Sequence, residues 1–184
     1  MPLPSLLREV SACEICAEHL PLSPRPIVSA APDSRVVIIG QALGTRVHES
    51  GIPWDDDSGA RLRQWLGVSA EEFYDPASFA IMPMGFCYPG RNGSGDASPR
   101  PGCAPSWHDR LVESLPQHRL LLLIGQYAQK KYLGRRRQKN LTETVKAWAT
   151  GTVSPQKLCK RSAPRQAVSR SSTERSHVTP QNTG

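Results

Sequence analysis

The feature that most limits the fold is a set of three short apolar runs. Residues 34–40 read SRVVIIG, residues 78–84 read SFAIMPM and residues 119–125 read RLLLLIG. The first is rich in β-branched residues, and the first and third end at glycine, which is typical of buried parallel strands. Segments with helical periodicity alternate with these runs. This alternation predicts an α/β fold with a mostly parallel sheet.

Helices are predicted between and after the strands. Ser58 is a candidate N-cap for a helix that ends near Gly67. A short helical pattern also precedes the first strand, from Leu3 to Val10. Three further helices are predicted over residues 107–115, 126–133 and 141–148.

Two long loops leave the predicted strands at their carboxyl ends, over residues 40–59 and 85–106. Loops of this length are uncommon in compact domains unless they have a function. In open parallel sheets, ligands bind beyond the carboxyl ends of the strands. The sequence therefore predicts a binding site where these two loops meet.

The net charge of +7 on 184 residues is concentrated at the end of the chain. Residues 151–184 carry six Lys or Arg and one acid, Glu174. Residues 1–149 are predicted to form one domain, and residues 150–184 a disordered basic tail rich in Ser and Thr. The sequence has neither a secretory signal nor an apolar run long enough to span a bilayer. We expect a cytoplasmic monomer with no membrane partner.

Four of the five cysteines form two pairs. Cys13 and Cys16 have C-x2-C spacing, and Cys87 and Cys103 flank a 15-residue segment. Without a secretory signal, disulfides are a poor default, whereas four thiolates can hold zinc or an iron–sulfur cluster. The wide second pair favours a cluster over zinc, and unrelated thiols are the alternative to both. Cys159 lies in the tail and matches no pattern.

These residues resemble the uracil-DNA glycosylase superfamily, most closely its iron–sulfur branch. The resemblance rests on IIGQALG after the first strand, on GIPWDDDSGARLRQWL, and on the spacing of the four cysteines, and it covers roughly residues 3–148. It implies three layers, α/β/α, and a glycosylase that excises uracil or a related damaged base from DNA in base excision repair. It also implies a 4Fe–4S cluster on Cys13, Cys16, Cys87 and Cys103, with zinc as the alternative.

The resemblance assigns substrate contacts by position. Trp54 occupies the place of the Phe that stacks on uracil, and the backbone of the first motif is expected to face the base and sugar. That motif consists of Gly40, Gln41, Ala42, Leu43 and Gly44.

Two positions depart from the family pattern in ways that affect the expected catalysis. Ala42 stands where the best-known relatives have a water-activating Asp, and Pro83 stands where a base-reading Asn is usual. Gln41, His48 and Glu49 are the candidate catalytic residues, and no general base is assigned.

The end of the chain departs from the family after about residue 149. The superfamily normally finishes with a strand, an H-P-S-P-type loop and a helix, and no H-P-S occurs in this sequence. We therefore expect the last strand and helix to be missing, and we favour a frameshift after Trp148 over a natural basic tail that contacts DNA phosphates. Translating the encoding DNA in its other frames tests this. A catalytically impaired or non-enzymatic member that binds DNA or a nucleotide is the alternative function.

Overall fold

The computed structural model describes residues 2–93, 95–118 and 120–149, with side chains up to residue 147. The predicted tail lies outside these residues. A π-helical turn, Ala104–His108, leads directly into one of the helices. In chain order the helices and strands are α1 (Leu3–Ser11), β1 (Val36–Ile39), α2 (Thr45–Ser50), α3 (Asp57–Leu66), α4 (Ala70–Tyr74), β2 (Phe79–Ile81), β3 (Arg91–Asn92), β4 (Gly95–Asp96), α5 (Asp109–Glu113), β5 (Leu120–Leu123), α6 (Gln126–Leu133) and α7 (Leu141–Ala149).

The central sheet has the order β2-β1-β5, and both pairs of neighbours are parallel. Val36 at the start of β1 lies opposite Phe79 of β2 on one side and Leu120 of β5 on the other. All three predicted strands are confirmed, as is the α/β class.

The two faces of the sheet carry separate cores, because successive side chains of β1 point in opposite directions. Val37 and Ile39 pack with residues of α1, α5 and α6 on one face. Ile38 packs on the other face with Leu62 of α3 and Phe73 of α4. This arrangement confirms the three-layer prediction.

The start of α3 differs from the prediction. Asp56, not Ser58, is the N-cap, since its Oδ1 accepts a hydrogen bond from the Gly59 amide at 2.8 Å. Ser58 lies inside the first turn and donates its hydroxyl to the same carboxylate at 2.6 Å. The Ser58 prediction is wrong because the residue two positions earlier has the extended backbone that an N-cap needs.

The two outer strands have different surroundings. β2 is buried, and its outer side is bridged by Ser29, which exchanges two backbone hydrogen bonds with Ile81 (3.0 and 2.7 Å). Across the residues that the structure covers, no strand pairs with the outer edge of β5, where Leu120 is 42% exposed. Among the described helices, none has the length and apolar character needed to cross a bilayer.

Candidate functional site

The two long loops are joined by backbone hydrogen bonds where β1 and β2 end. The Met84 amide donates to the Gly40 carbonyl at 3.0 Å, and the Gly85 amide donates to the Gln41 carbonyl at 3.0 Å. Ala42 and Gly85 then form an isolated parallel bridge. The parallel pairing of the two strands thus continues into residues 40–44, which we call the cradle.

Trp54 lies directly over the first residue of the cradle. A Cβ added at Gly40 would come within 2.7 Å of the indole Cζ2, so only glycine leaves room for the ring. Trp54 also has a φ of 60°, the only positive value for a non-glycine residue in the described part of the chain. Its carbonyl accepts a hydrogen bond from the Tyr74 hydroxyl at 3.3 Å and lies 1.8 Å from where a Cβ at Gly59 would stand. Tyr74 and Gly59 together hold the backbone of Trp54 in place.

The indole is half-buried and also packs against the core of Ile38 and Leu62. Trp54 therefore serves as a loop anchor, and the same ring contacts the cradle. Packing on the core orients the ring, and its partial exposure keeps it accessible to a ligand.

The four cysteines of the two predicted pairs line a single cavity, which we call the cysteine cavity. None of the four thiols is in a disulfide. Its remaining lining is almost entirely apolar: Leu20, Pro24, Pro26 and Phe86. In the described residues, no group of three or more His, Cys, Asp or Glu side chains is arranged so that it could hold a metal ion directly. The thiols therefore share a cavity without meeting at one point.

Burial controls the protonation of two of these thiols. Burial, with smaller contributions from the neighbouring thiols, raises the pKa of Cys103 to about 11, although a hydrogen bond with the Phe86 backbone opposes the shift. Burial also raises the pKa of Cys87. A bound cation would oppose this effect, because a metal stabilises the thiolate form.

One stretch of chain, residues 84–87, connects the cradle to the cysteine cavity. Gly85 is bonded to the cradle, the Phe86 carbonyl accepts a hydrogen bond from the Ile27 amide at 2.8 Å, and Cys87 follows. Cys87 of the cavity therefore lies two residues after the Gly85 contact with the cradle.

Residues 28–175 match the family model of the uracil DNA glycosylase superfamily. The chain belongs to this superfamily. The match includes the cradle, Trp54, Cys87 and Cys103, and it begins after Cys13 and Cys16. It confirms the superfamily, whose members act on DNA, and it does not distinguish the iron–sulfur branch.

The predicted catalytic residues occupy different environments in this superfamily member. The side chains of Gln41 and Glu49 are exposed. His48 is half-buried on α2, with its ring centroid 6.3 Å from that of Tyr88, and its buried Nδ1 has no hydrogen-bond partner in the described residues. Arg25 donates to the backbone carbonyls of His48 and Glu49, which fixes the end of α2. Catalytic roles for these three residues stay predictions.

Leu43 of the cradle is buried with Ile27, Val47 and Tyr88. Its side chain packs into this cluster, so only its backbone can contact a ligand. Ala42 is half-buried against the second loop, where a Cβ added at Gly85 would lie 3.6 Å from its own. The backbone role that the resemblance implies for the cradle suits these positions.

Sequence reasoning missed one buried polar pair next to the site. His108 is fully buried, and its Nε2 donates to the Pro83 carbonyl at 3.1 Å. Its Nδ1 then accepts a hydrogen bond from the Tyr132 hydroxyl at 2.8 Å. Burial lowers the pKa of His108 to about 4, so the ring is neutral and both nitrogens are satisfied. No spacing in the sequence connects His108 with Tyr132, and only the tertiary structure brings them together.

Proposed function

We propose that this chain is a DNA glycosylase that releases uracil or a related damaged base in base excision repair. Membership of the superfamily supports action on DNA. The observation that carries the proposal is the Trp54 indole held over Gly40 at the carboxyl end of β1. A partly exposed aromatic face beside a glycine backbone is suited to receive a flat base.

The residues have distinct parts in this proposal. The target base leaves the duplex and stacks on Trp54, while the backbone of residues 40–44 contacts the base and its sugar. As the bond between base and sugar breaks, negative charge grows on the base. Backbone N–H groups aimed at the developing charge would stabilise it.

We further infer that Cys13, Cys16, Cys87 and Cys103 hold a 4Fe–4S cluster. Four thiols from sequence-distant segments line one cavity, and its other walls are apolar, which suits thiolate ligation shielded from water. When bound, the cluster would supply a rigid cross-link between the N-terminal segment and residues 84–87. Zinc is the alternative metal for the same donor set.

Metal analysis separates these alternatives. Purified protein should be brown and contain iron and sulfide, whereas a colourless protein with stoichiometric zinc would exclude the cluster. Cys87→Ala should lower the yield of folded protein and its thermal stability. Cys159→Ala, in the tail, is the matched control and should leave the metal content unchanged.

A catalytically impaired member that still binds DNA is the second candidate. It is favoured by the absence of an H-P-S-P segment from the sequence and by the exposed Leu120 on the outer strand. Loss of one oxyanion donor alone can reduce a rate by about 10²–10³-fold.

Uracil release from a single-stranded oligonucleotide tests the proposed function. The wild-type protein should leave abasic sites that alkali cleaves. Trp54→Ala should lose about 10- to 100-fold in rate, because stacking of one base on an aromatic ring contributes about 1–3 kcal/mol. Trp65→Ala is the control, since Trp65 is 76% exposed on α3. An oligonucleotide that stays resistant to alkali with wild-type protein would favour the impaired member, provided that the protein carries its metal.

A further inference from the structure

A small hairpin in the second loop folds towards the cradle. Strands β3 and β4 pair antiparallel, with Arg91 opposite Asp96 and Asn92 opposite Gly95. The Ala97 amide closes the base of the hairpin by donating to the Gly90 carbonyl at 2.8 Å. Gly90 and Gly93 have φ of 93° and 62°, which is the left-handed region that glycine adopts without strain. The backbone of the hairpin is therefore fixed by its own hydrogen bonds and by the two glycines.

Asp96 of this hairpin lies against the last residue of the cradle. Its Oδ2 is 3.7 Å from the position that a Cβ at Gly44 would take. Further along the same loop, Pro99 Cβ lies 3.1 Å from a Cβ placed at Gly85, whose amide donates to the Gln41 carbonyl of the cradle. The second loop therefore contacts the cradle and places a carboxylate at its edge.

Two of the other acidic side chains near the cradle have structural partners. Asp56 caps α3, and Asp57 forms an ion pair with Arg46 at 3.0 Å. For Asp96, no ion pair or side-chain hydrogen bond occurs within residues 2–93, 95–118 and 120–149, and the side chain is exposed. Its carboxylate is therefore available to a water molecule or a substrate.

The cradle itself lacks a residue that could take a proton from water. Ala42 carries a methyl group where the resemblance implies a water-activating Asp, and the side chain of Gln41 is an amide. Asp96 comes from a different loop but reaches Gly44, only two residues beyond Ala42. The second loop thus places a carboxylate at the end of the cradle, while the first loop lacks the Asp that the resemblance implies.

We propose that Asp96 is the catalytic carboxylate that holds and deprotonates the attacking water. This inference rests on the proposed glycosylase function. The water oxygen forms a bond to the sugar C1′, and the bond from C1′ to the base nitrogen breaks with its electron pair leaving on the base. The proton of the water passes to the Asp96 carboxylate and from there to the departing base through solvent. Neither an oxidant nor a metal is needed for this balance.

Single-turnover excision by Asp96→Asn tests the proposal, because the amide keeps the shape and loses the proton acceptor. We expect the rate to fall by about 10²–10⁴-fold. The affinity for uracil-containing DNA should stay unchanged, which a merely structural defect would not allow. Asp33→Asn is the matched control, since Asp33 is exposed in the turn at the opposite end of β1 and should keep the wild-type rate.

A second measurement does not depend on turnover. DNA carrying a cationic pyrrolidine in place of the target sugar resembles the positive charge that develops at C1′. Asp96→Asn should bind this DNA about fivefold more weakly than wild type, as expected for a partly exposed charge pair. Equal affinity of Asp96→Asn and wild type would overturn the role of Asp96.

The outcomes separate the two proposals. If wild type releases uracil and Asp96→Asn matches its rate, the role of Asp96 is wrong and the glycosylase function stands. If wild type carrying its metal releases no base from single- or double-stranded DNA, the glycosylase function is wrong, and the role of Asp96 falls with it.

Discussion

The two strands that flank β1 have the same direction and register but very different surroundings. Phe79 of β2 and Leu120 of β5 both lie opposite Val36, yet Phe79 is 8% exposed and Leu120 is 42% exposed. β2 is bridged by Ser29 on its outer side, and its pairing continues into the cradle. Within the described residues, β5 has no second neighbour. The candidate site is therefore built on the well-packed side of the sheet.

The candidate site and the absent H-P-S-P segment belong to different parts of the chain. The residues of the cradle, Trp54 and the lining of the cysteine cavity all precede β5 in the chain, although Leu122 of β5 packs in the same core cluster as Trp54. The absent H-P-S-P segment would follow β5.

Truncation at the buried side should have the largest effect on stability. Phe79→Ala should lower the free energy of unfolding by about 3–5 kcal/mol, because it removes a buried ring from the core shared with Ile38 and Phe73. Urea unfolding of the purified variant measures this. A loss similar to that of a surface substitution would show that the β2 side is packed no better than the β5 side.

Acid should destabilise the protein, because it protonates His108, which connects the β2 side of the sheet to the β5 side. His108 joins the Pro83 carbonyl, after β2, to Tyr132 of α6, which follows β5. Burial lowers its pKa from 6.5 to about 4, so the unfolded chain takes up the proton at a higher pH than the folded one. Stability should therefore fall as pH drops from about 6.5 to 4, by on the order of 3 kcal/mol.

The contribution of His108 can be isolated by substitution. Lys131 and Asp109, which form an ion pair with each other at 2.8 Å, are the charged groups that influence its pKa. His108→Phe keeps a ring against Phe86 and cannot titrate, so its unfolding free energy should vary less over this pH range. The same pH dependence in wild type and His108→Phe would assign the effect to other groups.

Truncation at the exposed strand should have the smallest effect. Leu120→Ala should cost about 1 kcal/mol or less, since a side chain that is 42% exposed has little burial to lose. Urea unfolding of Leu120→Ala and Phe79→Ala under the same conditions compares the losses of unfolding free energy directly. A cost of 3 kcal/mol or more would mean that another part of the chain covers β5 in solution.

The sequence was sufficient to predict the sheet and the proximity of the two cysteine pairs. The residues that form the strands around Ile38, Ala80 and Leu122 are all apolar, and these short apolar runs were the signal that predicted the strands. The two cysteine pairs were predicted to share one site, and all four thiols line the same cavity. Both predictions depend on local composition or on fixed spacing.

Other features depend on contacts that no spacing reveals. Helices α2 and α4 are only six and five residues long, too short for a clear hydrophobic period. The hairpin carried a signal that was overlooked, because the two residues between the paired Asn92 and Gly95 read Gly-Ser, a common sequence for a two-residue hairpin turn. The approach of Asp96 to Gly44 follows from the path of that hairpin, so the sequence alone could not show it.

The left-handed backbone at Trp54 makes stability and binding compete at one position. A bulky residue is strained in that conformation, which glycine or asparagine adopts more easily. Replacement by glycine would relieve this strain but would also remove the packing of the indole against Ile38 and Leu62. Randomising this position and selecting one library for thermal stability alone, and another for stability together with base release, would separate the two requirements. A higher frequency of tryptophan in the second library would show that ligand binding, and not packing, requires the ring.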